Sequence, residues 1–298
     1  MSVFRFGKPK NPGFGLSRGF YLSVLAAKAR LPAILEIVAP KGVDGAVAGF
    51  GAPLGQGATK EDLARPLVRG AYAVASPDRK TVLRMLVVSK EEAGYDPEAL
   101  VRAAASLELS EELLARIRAT WTLIQFNFES HDPMVYPALD FLTAIVGRTA
   151  HLTEGAVADP VARRYLLPEQ LVSPRTANQQ VCAADHVAVH RSPGREGLDV
   201  HTLGLQKFAL PEVEITNLEP ESASVAESVL ISVAQKVLEG NPLAAGSRIG
   251  PRNALLDVAE GGLDRAKWEG IPVLELLPPR GMTIGEALRA WVLSGGTL

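Results

Sequence analysis

The sequence predicts an α+β fold, mainly antiparallel sheet with helices packed on one face. Three observations carry that expectation. Apolar and polar residues alternate in short runs such as the end of Trp121–Phe128 and Asp185–His190. Ser76-Pro-Asp-Arg-Lys80 and Ser192-Pro-Gly-Arg-Glu-Gly197 have hairpin chemistry, and hairpins join antiparallel strands. Helical stretches with capping signals are interleaved with these strands without a solenoid period. Two tandem α+β sandwiches, residues 1–119 and 120–298, are one division that fits this order.

In chain order, the glycines at 42, 45, 49, 51, 55 and 57 mark a loop. Thr59-Lys-Glu-Asp62 has capping-box spacing and opens a short helix that Pro66 limits. Residues 70–76 and 81–89 read as strands around the first hairpin turn, and 97–107 and 110–118 as helices. After the strand ending at Phe128, His131-Asp132-Pro133 breaks the pattern. Residues 134–147 then place Val135, Ala138, Leu139, Leu142, Ile145 and Val146 at helical spacing for a stripe against a sheet. Residues 185–191, 198–205, 213–218 and 272–277 read as strands. Residues 222–238 form a helix closed by Gly240 and Pro242, and Thr283-Ile-Gly-Glu286 opens a final one.

Composition narrows the function classes. The 298 residues carry a net charge of −2, with 47% hydrophobic and 21% charged residues. That balance gives no global attraction to nucleic acid or to an anionic membrane. Phe20–Ala27 is too short to span a bilayer and runs into Lys28 and Arg30. Cys182 has no intrachain partner, which suits a reducing compartment, and cytoplasmic is the expected location.

Familiar chemical motifs fail on spacing. Around Gly55-Gln-Gly57-Ala-Thr-Lys60 the lysine follows the hydroxyl residue, the reverse of a phosphate-binding loop. No Gly-x-Ser-x-Gly elbow exists. Cys182 reads as a small apolar residue, and Asp132 as a helix cap. His186, His190 and His201 cluster, with Glu212 or Glu214 as further metal ligands. Yet His186 and His190 on one strand lie about 13 Å apart, too far for one ion. With a five-residue loop over 193–197, Val189 faces His201, which turns His201 away from His190; a one-residue slip reverses this.

The segment from His201 to Ile215 is the most distinctive. Gly204 weakens a strand interior unless a bulge or close approach needs it, Lys207 interrupts an apolar run, and Pro211 sets Glu212 at the next strand. Two readings stand: a surface groove lined by His201, Thr202, Gly204, Lys207, Phe208, Pro211, Glu212 and Glu214, or a bulged strand followed by a proline turn.

This segment resembles a motif of uncharacterised bacterial proteins classed as domains of unknown function. Their pattern runs His-Thr-His-Gly-Leu/Met-x-Lys/Arg-Phe-Gly-x-Pro-Glu-Leu-Glu. Leu203 stands here for the second histidine and Ala209 for the glycine. The likeness covers residues 120–250, including Ala158-Asp159-Pro160 and the helix from Ser222. It implies an accessory or immunity-like role in bacterial conflict, hence a protein partner and no substrate.

The leading expectation is therefore a non-catalytic binding protein without cofactor or metal, engaging a protein partner, with a homo-oligomer compatible. One rival is a metal-dependent hydrolase using His186, His190, His201 and Glu212. The other is a subunit of a larger assembly, docking through its N-terminus.

Overall fold

A computed structural model describes residues 13–38, 47–50, 60–103, 109–131, 133–173 and 180–294. The chain forms two compact units, one of residues 16–176 and one of residues 177–298 together with 1–15. The fold is α+β, as expected, with one mostly antiparallel sheet in each unit.

In the first unit the strands are β1 (Tyr21–Ala26), β2 (Val47–Phe50), β3 (Gly70–Ala75), β4 (Val82–Ser89), β5 (Thr122–Phe128), β6 (Ala156–Asp159) and β7 (Arg164–Leu166). Its helices are α1 (Ile34–Ile37), α2 (Lys60–Ala64), α3 (Pro97–Ala103), α4 (Glu111–Arg118) and α5 (Val135–Leu152). The sheet order is β2-β3-β4-β5-β1-β6-β7, antiparallel throughout. Because β5, β6 and β7 belong to the same sheet as β1–β4, a division at residue 119 would cut that sheet; the chain instead divides at 176/177.

The hairpin between β3 and β4 closes as its residues dictate. Ser76 Oγ accepts from the Thr81 amide, the Asp78 carboxylate accepts from Ser76 Oγ and the Lys80 amide, and Arg79 takes the left-handed conformation. Helix α4 starts at Ser110, whose hydroxyl caps the Leu113 amide. Helix α5 runs past Gly147, where the expected helix stopped, and ends at Thr153, whose hydroxyl bonds back to the Thr149 carbonyl. Asp159 ends β6 and turns the chain by accepting from the Ala162 amide.

Two faces of this sheet are packed differently. Val24, Ile124, Phe126, Leu83 and Met85 lie in register on one face and are fully buried. Leu25, Ala156 and Ala158 lie on the other and pack with Leu113 and Ile117 of α4. Helices thus cover both faces of the first sheet, where one covered face was expected. Of the glycine-rich segment, residues 47–50 form β2; the remainder lies outside the described residues, as do Thr59, Asp132 and residues 104–108.

The second unit contains α6 (Ala183–His186), β8 (Ala188–Pro193), β9 (Leu198–Leu203), β10 (Glu212–Leu218), α7 (Ala223–Leu238), β11 (Arg248–Ile249), β12 (Leu256–Glu260), α8 (Arg265–Trp268), β13 (Val273–Leu277) and α9 (Ile284–Leu293). Its sheet order is β11-β12-β13-β10-β9-β8, with β10 and β13 parallel and the other pairs antiparallel. Helix α7 lies on the face of Arg191, Val200 and Ile215: these three share one register row, and Arg191 forms a bidentate pair with Glu227 of α7. Helix α9 opens with the capping box read from Thr283 and Glu286. Phe14 packs edge-on against Phe208 at 5.4 Å, so residues 13–15 belong to this unit. Among the described residues, no helix is long and apolar enough to cross a membrane.

Candidate functional site

The residues of the expected site segment fall into two groups. The first closes the connection between β9 and β10. After Leu203 the chain kinks at Gly204, where φ is +129°, and enters a single 3₁₀ turn, Leu205–Phe208. Glu212, fully buried, binds this turn together: its Oε1 accepts from the amides of Gly204 (2.7 Å) and Gln206 (3.0 Å), and its Oε2 accepts from Thr202 Oγ1 (2.7 Å). Thr202 Oγ1 in turn accepts from the Val213 amide at 2.8 Å. Burial pushes the Glu212 carboxyl up, against these hydrogen bonds, which favour the anion.

Phe208 and Lys207 are buried as well, Phe208 between the rings of Phe14 and His186. The groove reading is therefore corrected: Thr202, Gly204, Lys207, Phe208 and Glu212 are interior groups, and Pro211 leads into β10. The segment is the kinked strand and proline turn of the other reading. A run of backbone amides that leaves the sheet needs an acceptor when buried, and Glu212 supplies it.

Ala209 follows the turn with φ +54° and ψ +32°, the left-handed region that disfavours any side chain. The resembling pattern has glycine at this point. Ala209→Gly is expected to raise stability by about 0.5–1 kcal/mol, read as a higher urea midpoint at unchanged slope.

The second group sits on the sheet face opposite α7. The strand register is the slipped one: Pro193 pairs with Leu198 across a four-residue loop, so His190 faces His201. The Gly194 amide closes that loop on the Gly197 carbonyl at 2.8 Å, which is why one residue fewer is looped out than expected. The two imidazoles stack with centroids 6.1 Å apart and planes 30° apart. His186 is not on the strand with them. It ends α6, and its ring meets Phe208.

Across β10, Glu214 stands opposite His201, and across β13, Glu275 stands opposite Glu214. Glu214 is 3% exposed. It accepts from the Gly262 amide (2.6 Å) and from the Trp268 indole Nε1 (3.0 Å), which fastens the segment leading into α8 over the sheet. The Trp268 ring meets His201 edge-on at 5.1 Å. Lys267 Nζ lies 3.8 Å from Asp199 and 3.9 Å from Glu214, beyond hydrogen-bond range of both. Thr216 Oγ1 bonds Glu275. Burial, then the nearby charges of Glu214 and Asp199, push the Glu275 carboxyl up.

Of the expected residues, then, Thr202, Gly204 and Glu212 join in the turn network, and His201 and Glu214 join in the polar cluster on the face opposite α7, with His190 from the rival reading. Asp199, Thr216, Glu275, Lys267 and Trp268 complete it and were not singled out from sequence. One local signal existed: Glu275 interrupts the apolar run Val-Leu-Glu-Leu-Leu, just as Glu212 and Glu214 interrupt theirs. Among the described residues, no three His, Cys, Asp or Glu side chains are grouped so as to hold a metal.

Chemically, the cluster sets three carboxylates against one ammonium beside two imidazoles, so protons or a cationic guest would relieve its charge. No protein-family model, curated protein or solved structure matches this chain.

Proposed function

We infer that the chain is a non-catalytic binding protein that takes an extended, basic segment of a protein partner along the outer edge of β8. The observation that carries this reading is the position of β8. It is the last strand of the second sheet, and among the described residues nothing pairs with its outer side. An open strand edge recruits a further strand through main-chain hydrogen bonds. Arg191, which would otherwise guard the edge, is turned onto Glu227 of α7. Ser192 Oγ is enclosed without a hydrogen-bond partner on the face that carries Asp199.

Charge selects the guest. An added strand would set alternate side chains beside His190 and Ser192, on the face where Asp199, Glu214 and Glu275 outnumber Lys267. Lysine or arginine at those positions is favoured and glutamate disfavoured. Two of the three histidines required by the metal-hydrolase reading meet face to face, and the third belongs to a different packing group, so the binding reading is preferred. An accessory or immunity-like role, a bacterial origin and a cytoplasmic setting belong to this same proposal.

The test is binding of a six-residue peptide alternating lysine and valine to the isotope-labelled full chain. New amide protection is expected at residues 188–193, with affinity about tenfold weaker for the glutamate–valine analogue at low salt. Equal affinity for both peptides, or protection elsewhere, overturns the reading. Protection of β8 without peptide in a species of doubled native mass would assign the edge to a second copy of the chain instead.

A further inference from the structure

The polar face of the second sheet has an unequal charge count in a place nearly closed to water. Glu214 is held as an acceptor by two donors, the Gly262 amide and the Trp268 indole. Asp199 accepts from the Asn217 amide at 3.2 Å. Both therefore serve as hydrogen-bond acceptors on this face. Among the described residues, Lys267 is the ammonium placed between them, and it reaches each only at 3.8–3.9 Å. Glu275, 8% exposed, is thus a third carboxyl facing two carboxylates, with Thr216 as its hydrogen-bonding neighbour.

The charged and titratable groups around Glu275 are set by the register. From β10 comes Glu214, from β9 Asp199 and His201, from β8 His190, and from α8 Lys267. β12 sets Ala259 directly opposite it, and the neighbouring Asp257 is neutralised by Arg248 at 2.6 Å. Among the described side chains, Lys267 is the cation α8 brings to this face, against Asp199 and Glu214.

We propose that this face is a proton-operated clasp: a neutral Glu275 keeps the segment from Gly261 to Trp268 fastened to the sheet through Glu214, and ionisation of Glu275 loosens it. The link is electrostatic. A third negative charge beside Glu214 and Asp199 adds repulsion that Lys267, placed against those two, does not offset at Glu275, and it raises the cost of keeping Glu214 enclosed. What gives way is the pair of hydrogen bonds to Glu214, from the Gly262 amide and the Trp268 indole, while the packing of the Trp268 ring on Leu203 and Val273 and the Gly261 amide bond to the Val273 carbonyl remain. The clasp stands independently of the binding reading, because it concerns only the chain's own contacts.

The direction with pH follows from the carboxyl that moves. The Glu275 carboxyl is pushed above the ordinary 4.5 of a glutamate by burial first, and then by Glu214 and Asp199, against the Thr216 hydrogen bond, which favours the anion. The folded state therefore holds the proton more tightly than the unfolded one. The stabilisation is fully present below about pH 4.5 and is lost as pH rises through the folded value.

The three tryptophan indoles, Trp121, Trp268 and Trp291, give separate probes in the isotope-labelled full chain. Hydrogen-exchange protection of the Trp268 indole, corrected for intrinsic rates and followed from pH 4 to pH 8, is expected to fall about tenfold as Glu275 ionises, with Trp291 unchanged. In Glu275→Gln, a permanent stand-in for the neutral acid, the Trp268 protection should stay within about twofold across that range. Asp199→Asn removes one repelling charge and should move the midpoint to lower pH. A flat profile in the parent chain, or the same slope in Glu275→Gln, overturns the clasp. Should Glu275→Gln not fold, an unmoved midpoint in Asp199→Asn overturns it equally.

Discussion

Gly204→Ala is expected to cost about 4 kcal/mol, enough to unfold the second unit at moderate temperature. Two costs combine at this position. The backbone has φ +129°, a region L side chains rarely enter, and a Cβ there would overlap the His186 carbonyl oxygen and crowd Val187. Neither neighbour can yield cheaply, because both are backbone at the join of α6 and β8. Relaxing Gly204 toward ordinary dihedrals would also move its amide away from Glu212. Differential scanning calorimetry of the full chain should show the transition of the second unit lost or strongly lowered, with that of the first unit retained. A shift of less than about 1 kcal/mol would mean that the kink is not a fixed feature.

Glu212→Ala should be nearly as severe, at about 3–5 kcal/mol. The substitution leaves two enclosed amides and the Thr202 hydroxyl without their shared acceptor, in a space too enclosed for their full rehydration. Glu212→Gln is the informative companion. Its carbonyl oxygen can still accept from the Gly204 and Gln206 amides, while its amide group faces a Thr202 hydroxyl that must now act as acceptor. The expected loss is about 1–2 kcal/mol. Urea unfolding of the pair separates acceptor geometry from side-chain volume: similar losses in both variants would show that the hydrogen bonds matter little.

Local chemistry made much of this fold legible. The hairpin at 76–80, the cap at Ser110, the stripe of α5 and the capping box at Thr283 all follow from residues within a few positions of one another. β1 was not legible as the centre of a sheet, because a strand buried on both faces shows no alternation: Leu22, Ser23, Val24 and Leu25 are all buried. The register of β8 on β9 turned on whether Pro193 sits in the loop or the ladder, a difference of one residue that reverses which side His201 faces.

At the site, the charged residues inside apolar runs were visible as anomalies, but their purpose was not. Glu212 and Lys207 looked like the rim of a groove and are interior. Glu275 joins the face of Glu214 and His201 only because β10 and β13 run parallel after about 60 intervening residues. No short-range pattern encodes that pairing.

The place of β1 also bears on how the chain is made. Tyr21–Ala26 pairs on one side with residues 122–127 and on the other with 156–158. As the chain leaves the ribosome, the β3–β4 hairpin can close within its own 20 residues, but β1 waits for partners about 100 residues downstream. At about 5–20 residues per second, that is of the order of 5–20 s with both edges of an apolar strand open. The edges of this apolar strand are thus exposed early and paired late, once β5 and β6 have emerged.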